Sequence, residues 1–326
     1  MRIGVIGGGA WGTALAQVAA AGGEETLLWA REPEVVEAVN LRRENSVFLP
    51  GISLSTAIRA TDALDDLAGC EALLVVTPAQ HMRRVLAGLP ALAVPLVLCS
   101  KGIEEGSAKL MHQVAHEAQP AAAIAVLSGP TFAHEVAAGL PAAVTLAIAD
   151  QAAGEAVAAR IARPNFRPYL SDDLTGAEIG GAVKNVLAIA CGVVEGRGLG
   201  QNARAAIISR GFAEMTRFGL ARGARAETLA GLAGLGDLVL TCSSTSSRNF
   251  ALGKGLGEGA DAKALLADRK TVAEGAFTAP VLRQAAADAG VEMPIVGAVC
   301  DLLAGSASVD AVVENLLSRP LRAEGL

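Results

Sequence analysis

Arg2-Ile-Gly-Val-Ile6-Gly7-Gly8-Gly9-Ala10-Trp11-Gly12-Thr13-Ala-Leu-Ala-Gln-Val18 stands at the head of the chain. Residues 2–6 read as a short buried strand, and Thr13 to Val18 as the start of a helix. The glycines between them, Gly7-x-Gly9-x-x-Gly12, have a geometric reason. Gly7 permits the tight turn out of the strand, Gly9 lets the backbone approach a pyrophosphate, and Gly12 lets the helix pack close to the sheet. The helix N-terminus then offers free amides and a positive dipole to phosphate. A strand, this loop and a helix in succession predict a dinucleotide-binding α/β fold; the alternative is a structural turn in some other α/β protein.

Working outward, short apolar runs recur at residues 26–29, 72–76, 95–99, 123–127, 143–148 and 166–170, and helical spacing fills residues 13–21, 34–41 and 108–118 between them. Strands alternating with helices imply a parallel sheet with crossover helices. The pattern changes near Ser171. Ser171-Asp172-Asp173 reads as a helix N-cap with acids in the first turn, and only helical spacing follows. The expected fold is therefore a doubly wound, Rossmann-type α/β domain over residues 1–171, followed by an all-helical domain over 172–326.

Composition agrees. At about 150 residues per domain, 326 residues suit two domains. Hydrophobic residues at 52% and charged ones at 18% allow a large core and argue against disorder. With aromatics at only 3%, that core must be built from Ala, Val, Leu and Ile. The net charge of -6, without a basic stretch, argues against nucleic-acid binding. No uninterrupted apolar run nears the roughly 18 residues of a membrane span, and the first residues lack the apolar core of a signal peptide. A soluble, cytoplasmic protein without a membrane partner is expected. The apolar helical half is compatible with a homodimer. Cys70, Cys99, Cys191 and Cys300 sit among apolar neighbours and read as buried fillers, whereas Cys242, in a polar stretch, reads as accessible. His112 and His116 lack a further ligand nearby, so no metal site is expected.

Several positions carry candidate chemistry. Arg31 follows the second strand, where an NAD-specific enzyme places an acid on the ribose; an arginine there suits a 2′-phosphate, the alternative being a solvated surface side chain. NADPH is the expected cofactor, with NADH tolerated. Lys101 follows the strand at 95–99, and Ser128-Gly129-Pro-Thr131-Phe-Ala133 follows the one at 123–127; both sit where ligands meet an open parallel sheet, the alternatives being a solvated lysine and a purely structural Gly-Pro turn. Lys184 is the only charge between Ile179 and Val194. Either it has a buried partner and a depressed pKa, or its stem covers apolar surface while its head reaches water. Asp237, after a glycine turn, hydrogen-bonds a substrate hydroxyl, orients Lys184, or merely caps a helix. Ser247-Arg248-Asn249 could grip a phosphate, since arginine forks onto its oxygens, or be a solvated loop.

Taken together these segments resemble the bacterial NAD(P)-dependent glycerol-3-phosphate dehydrogenases. The resemblance runs in order through Gly7 to Ala16, Ser100-Lys-Gly102, Ser128 to Ala133, Glu178 to Asn185, Asn202-Ala-Arg-Ala-Ala206, Gly231 to Cys242, Ser247-Arg-Asn249 and Val272-Ala-Glu-Gly275. It implies reversible reduction of dihydroxyacetone phosphate to sn-glycerol 3-phosphate for phospholipid head groups. It makes Lys184 the acid/base. It places Lys101, Gly129, Thr131, Asp237, Ser247, Arg248 and Asn249 around the substrate. The resemblance also lays Trp11, Arg31, Phe48, Lys101, Ala133, Arg248, Val272 and Glu274 along the cofactor. Thr131 and Phe48 stand where the family often has Ser and Tyr; Thr131 keeps the hydroxyl and Phe48 does not. The competing readings are a dehydrogenase of the same build for another hydroxy acid or sugar phosphate, and a catalytically silent NADP-binding sensor.

Overall fold

The computed structural model describes residues 2–267 and 273–320. Eight strands form one sheet among the described residues: β1 (Ile3–Ile6), β2 (Thr26–Trp29), β3 (Ile58–Thr61), β4 (Ala72–Val75), β5 (Leu96–Leu98), β6 (Ile124–Ser128), β7 (Ala142–Ile148) and β8 (Phe166–Ser171). Their order is β3-β2-β1-β4-β5-β6-β7-β8. The first six strands follow the 3-2-1-4-5-6 order of dinucleotide-binding sheets, with the order reversing between β1 and β4. Pairing is parallel throughout except between β6 and β7, which run antiparallel. β3 is absent from the expected strands. Ile-Arg-Ala-Thr is too short and too mixed to announce itself, and becomes a strand because β2 offers it a ladder.

The sheet is covered by helices that begin with Ala10–Ala20. Ala14, Leu15 and Ala19 of that helix share one buried cluster with Ile3, Val5, Leu28, Leu74 and Val97 of the strands. Burying each large aliphatic side chain contributes about 1.5–3 kcal/mol. The first half of the β8 edge is closed to further strands. Ala142 takes the Asn165 carbonyl, so in this parallel pair Phe166, Pro168 and Leu170 turn their backbone groups outward. Arg163 satisfies both outer groups of Phe166, and Pro168 has no N–H to offer.

The chain divides into two compact units, residues 1–100 with 111–174, and residues 101–110 with 175–326. The excursion 101–110 goes with the helical unit because Ile103 and Leu110, at 0% and 2% exposure, are part of its core. Ser171 is not the expected cap. It ends β8, and its hydroxyl accepts from Asp173 N (3.2 Å) before the helix Leu174–Gly196 begins. That 23-residue helix is long and apolar enough to cross a membrane, but 94% of its apolar window is buried inside the protein. Cys242 is likewise corrected. It is 0% exposed and belongs to the helical core, its polar neighbours facing out around it.

Glycines set the packing of this core. Gly192 and Gly196 on Leu174–Gly196 face Gly253 and Gly257 on the helix Arg248–Gly257. A β-carbon at Gly192 would collide with the Phe250 carbonyl, one at Gly196 with the Lys254 carbonyl, and one at Gly253 with the Ile189 carbonyl. The two helices therefore touch backbone to backbone. Gly180 makes the same approach to the Ala233 carbonyl.

Candidate active site

In the sheet unit, Gly7 leaves β1 with φ +128°, a conformation that L side chains rarely adopt, and its amide donates to Trp29 O (3.0 Å). A β-carbon at Gly12 would strike the Gly7 carbonyl, so that position also requires glycine. Gly9 is exposed and caps the helix Ala10–Ala20 without a side chain; nothing lies within 4 Å of where its β-carbon would be. The amides of Gly9, Ala10, Trp11 and Gly12 have no backbone acceptor among the described residues. An open loop, free amides and the positive end of a helix together fit a dinucleotide's pyrophosphate.

Trp11, Phe48 and Ala133 are half-buried and packed against the sheet core. Trp11 Nε1 is buried with no partner among the described residues. Arg31 lies two residues beyond β2 with its side chain 69% exposed, and its guanidinium rests on Glu32 Oε1 at 2.7 Å. Gly129, beyond β6, is needed for sheet packing, since its β-carbon would sit 2.9 Å from Val144 Cα; the half-buried Thr131 donates to the Gly129 carbonyl at 3.3 Å. Val272 lies outside the described residues.

The helical unit holds a charged centre. Asp237, 0% exposed, begins the short helix Asp237–Thr241. Lys184 Nζ donates to its Oδ1 and Lys101 Nζ to its Oδ2, both at 2.6 Å. Lys184 also donates to Thr241 Oγ1 at 2.9 Å. Lys184 is thus paired and buried, at 6% exposure, and does not reach for water. Asp237 orients two lysines and is not a helix cap. Burial pushes the Lys184 ammonium down from 10.5 to about 8; the Asp237 carboxylate opposes that shift and the Lys101 charge adds to it. Two cations on one carboxylate leave a net positive centre, suited to an anionic substrate.

Ser247 caps the helix Arg248–Gly257, its hydroxyl accepting from Phe250 N at 3.2 Å. Arg248 is exposed and, among the described residues, in no ion pair. Asn249 is buried and bridges Asn185 Oδ1 (3.0 Å) and Gly275 N (2.9 Å), so its amide is taken up by internal bonds. Glu274, half-buried at the start of Glu274–Asp288, has its carboxyl raised by burial, an effect that Arg248, Lys101 and Lys184 oppose.

The structure thus gathers Lys101, Lys184 and Asp237 directly. Two further participants escaped the sequence reading. Thr241 was legible in principle, four residues beyond Asp237 on one helix face. Asn45 holds the glycine loop from 37 residues away and had no local signal.

Family models match both halves of the chain. The model of the NAD-dependent glycerol-3-phosphate dehydrogenase N-terminus matches residues 2–154, and that of the C-terminus matches residues 173–314. A glycerol-3-phosphate dehydrogenase (NAD(P)+) of Erythrobacter litoralis is 66% identical over 323 residues, which is 99% of this chain and 98% of that protein. The Novosphingobium aromaticivorans enzyme of the same name is 65% identical over 327 residues, again 99% and 98%. The solved structure of glycerol-3-phosphate dehydrogenase from Coxiella burnetii, 37% identical, superposes with a TM-score of 0.93 over 98% of this chain and 99% of that one. Matched in both halves and over its full length, the chain belongs to the NAD(P)-dependent glycerol-3-phosphate dehydrogenases, a family of oxidoreductases.

Proposed function

We propose that this chain reversibly reduces dihydroxyacetone phosphate to sn-glycerol 3-phosphate with Lys184 as the acid/base. The observation that carries the reading is a buried lysine held by Asp237 and Thr241 and titrating at about 8. A bound reduced nicotinamide supplies the hydride. As the carbonyl carbon is reduced, negative charge grows on its oxygen. The Lys184 ammonium stabilises that charge and delivers the proton, and in the reverse direction the amine accepts it. A group titrating near neutral pH serves both directions. Lys101 and the exposed Arg248 draw in the phosphate ester, and Gly129, Thr131, Ser247 and Asn249 are the remaining substrate neighbours in this reading.

The glycine loop holds the pyrophosphate, flanked by Trp11, Phe48 and Ala133, and Arg31 takes a 2′-phosphate, so NADPH is preferred and NADH also used. Lys101, Arg248 and Glu274 complete the cofactor's surroundings. The product feeds glycerophospholipid synthesis in the cytoplasm.

The test is Lys184→Ala, assayed by NADPH and NADH oxidation at 340 nm with dihydroxyacetone phosphate and a panel of other small ketones. The wild type turns over dihydroxyacetone phosphate best, with a higher kcat/KM for NADPH, and the variant loses on the order of 10²-fold or more in kcat. Near-normal kcat in the variant removes Lys184 from the chemistry; no turnover of dihydroxyacetone phosphate by the wild type rejects the substrate.

A further inference from the structure

Asn45 is 0% exposed and belongs to no group that the reaction uses. Its Nδ2 donates to the Gly8 carbonyl at 2.8 Å and to Thr13 Oγ1 at 2.7 Å. Its Oδ1 accepts from Phe48 N at 3.1 Å, which builds a tight turn over residues 45–48. Thr13, also buried, sends its own hydroxyl toward the same Gly8 carbonyl. One side-chain amide thus ties together two pieces that lie far apart in sequence: the glycine loop and the turn that carries Phe48.

The direction of this tie matters. A trans peptide points its C=O and the following N–H to opposite sides. Drawing the Gly8 carbonyl inward onto Asn45 therefore turns the Gly9 N–H outward, on the exposed face where Gly9 leaves open space. A free loop between three glycines has many alternative peptide orientations, and each one lost on binding would cost affinity. We propose that Asn45 is the positioning residue of the dinucleotide site, aiming the Gly9 amide at the pyrophosphate and setting Phe48 beside the ligand through the same side chain. The proposal rests on the reading of the glycine loop as the pyrophosphate site.

Asn40 supplies the control. It makes the same kind of two-way bridge, donating to Ala60 O and accepting from Ala60 N at 2.9 Å each, but it ties β3 to the preceding helix and touches no part of the loop. Wild type, Asn45→Ala, Asn45→Asp and Asn40→Ala are titrated with NADPH by calorimetry, melted, and assayed for kcat and for KM of both substrates. Asn45→Ala raises the NADPH Kd and KM by about 10- to 100-fold, the weight of one aimed hydrogen bond to a charged group. Its kcat at saturating NADPH and its KM for dihydroxyacetone phosphate stay within about twofold, as expected when binding alone is lost. Asn40→Ala lowers Tm without moving the NADPH Kd.

A folded Asn45→Ala with wild-type NADPH affinity overturns the proposal, as does an equal loss in Asn40→Ala. If Asn45→Ala does not fold, Asn45→Asp carries the test, because it keeps the volume and the acceptor for Phe48 N but has no N–H for Gly8. Its NADPH Kd rises by about 10-fold or more, and a folded Asn45→Asp with wild-type NADPH affinity overturns the proposal. A wild type that binds no NADPH rejects the loop reading itself, whereas unchanged Asn45 variants of a binding wild type reject only the role of Asn45.

Discussion

Replacing Asp237 by asparagine keeps the shape of the charged centre and removes the one negative charge that two ammonium groups share. Both lysine nitrogens lie 2.6 Å from its oxygens and the carboxylate is wholly buried, so solvent screens little of the interaction. Unit charges about 4 Å apart interact by about 4 kcal/mol at an effective dielectric constant near 20, which corresponds to roughly 3 pH units. The Lys184 ammonium, already at about 8 because of burial, therefore falls further when its counter-charge is lost. In the function proposed above, reduction of the ketone needs the protonated lysine, so activity is expected below its pKa and lost above it. The assay is kcat/KM for dihydroxyacetone phosphate reduction across the range of about pH 5 to 10, followed at 340 nm and read as the titration of the free enzyme. The wild type breaks near 8. Asp237→Asn breaks several units lower and, near neutral pH, retains on the order of 1% of wild-type kcat/KM. A variant that is folded by circular dichroism and still breaks near 8 would refute the argument that Asp237 sets the proton on Lys184.

Two further predictions concern stability. Glu214 is 2% exposed and accepts from Ile295 N (2.8 Å) and Val296 N (3.3 Å) at the start of the helix Pro294–Leu303; burial raises its carboxyl from 4.5 to about 7. Between those values the folded protein holds a proton that the unfolded chain has released, so stability falls by about 3 kcal/mol as pH rises through the window, and Glu214→Gln flattens that slope in urea titrations. Gly253→Ala would gain about 1 kcal/mol of helix propensity in an open helix, but here its β-carbon meets the Ile189 carbonyl. It destabilises by about 3 kcal/mol, which lowers the urea midpoint, and an unchanged or raised midpoint refutes the backbone contact.

The sequence was legible where signals are local. The glycine loop lies between a strand and a helix within seventeen residues, and each glycine has a steric reason that a reader can supply. Ile58–Thr61 was not legible, because its strand character comes from β2 and not from its own four side chains. The environment of Lys184 is a matter of distance along the chain. Spacing left open whether that lysine is paired, because Asp237 lies 53 residues away. Cys242 misled for a related reason. Its neighbours Ser243 to Ser246 are polar, yet the turn places them outside and the thiol inside. Lys101 was placed correctly at a strand end, but nothing in its surroundings showed that residues 101–110 leave the sheet unit for the helical one.

The glycine seam between Leu174–Gly196 and Arg248–Gly257 bears on motion as well as on stability. Side chains that interdigitate can change rotamer and let two helices slide; carbonyls in contact with bare α-carbons have no such freedom. Lys184 rides on one of these helices and Ser247-Arg248-Asn249 stand at the head of the other. The backbone positions of Lys184 and Arg248 are therefore held at a fixed spacing, like the jaws of a caliper, and in the function proposed above that spacing would measure a substrate by length. On that reading, a ketone whose phosphate sits one carbon farther from the carbonyl is expected to have a lower kcat/KM than dihydroxyacetone phosphate.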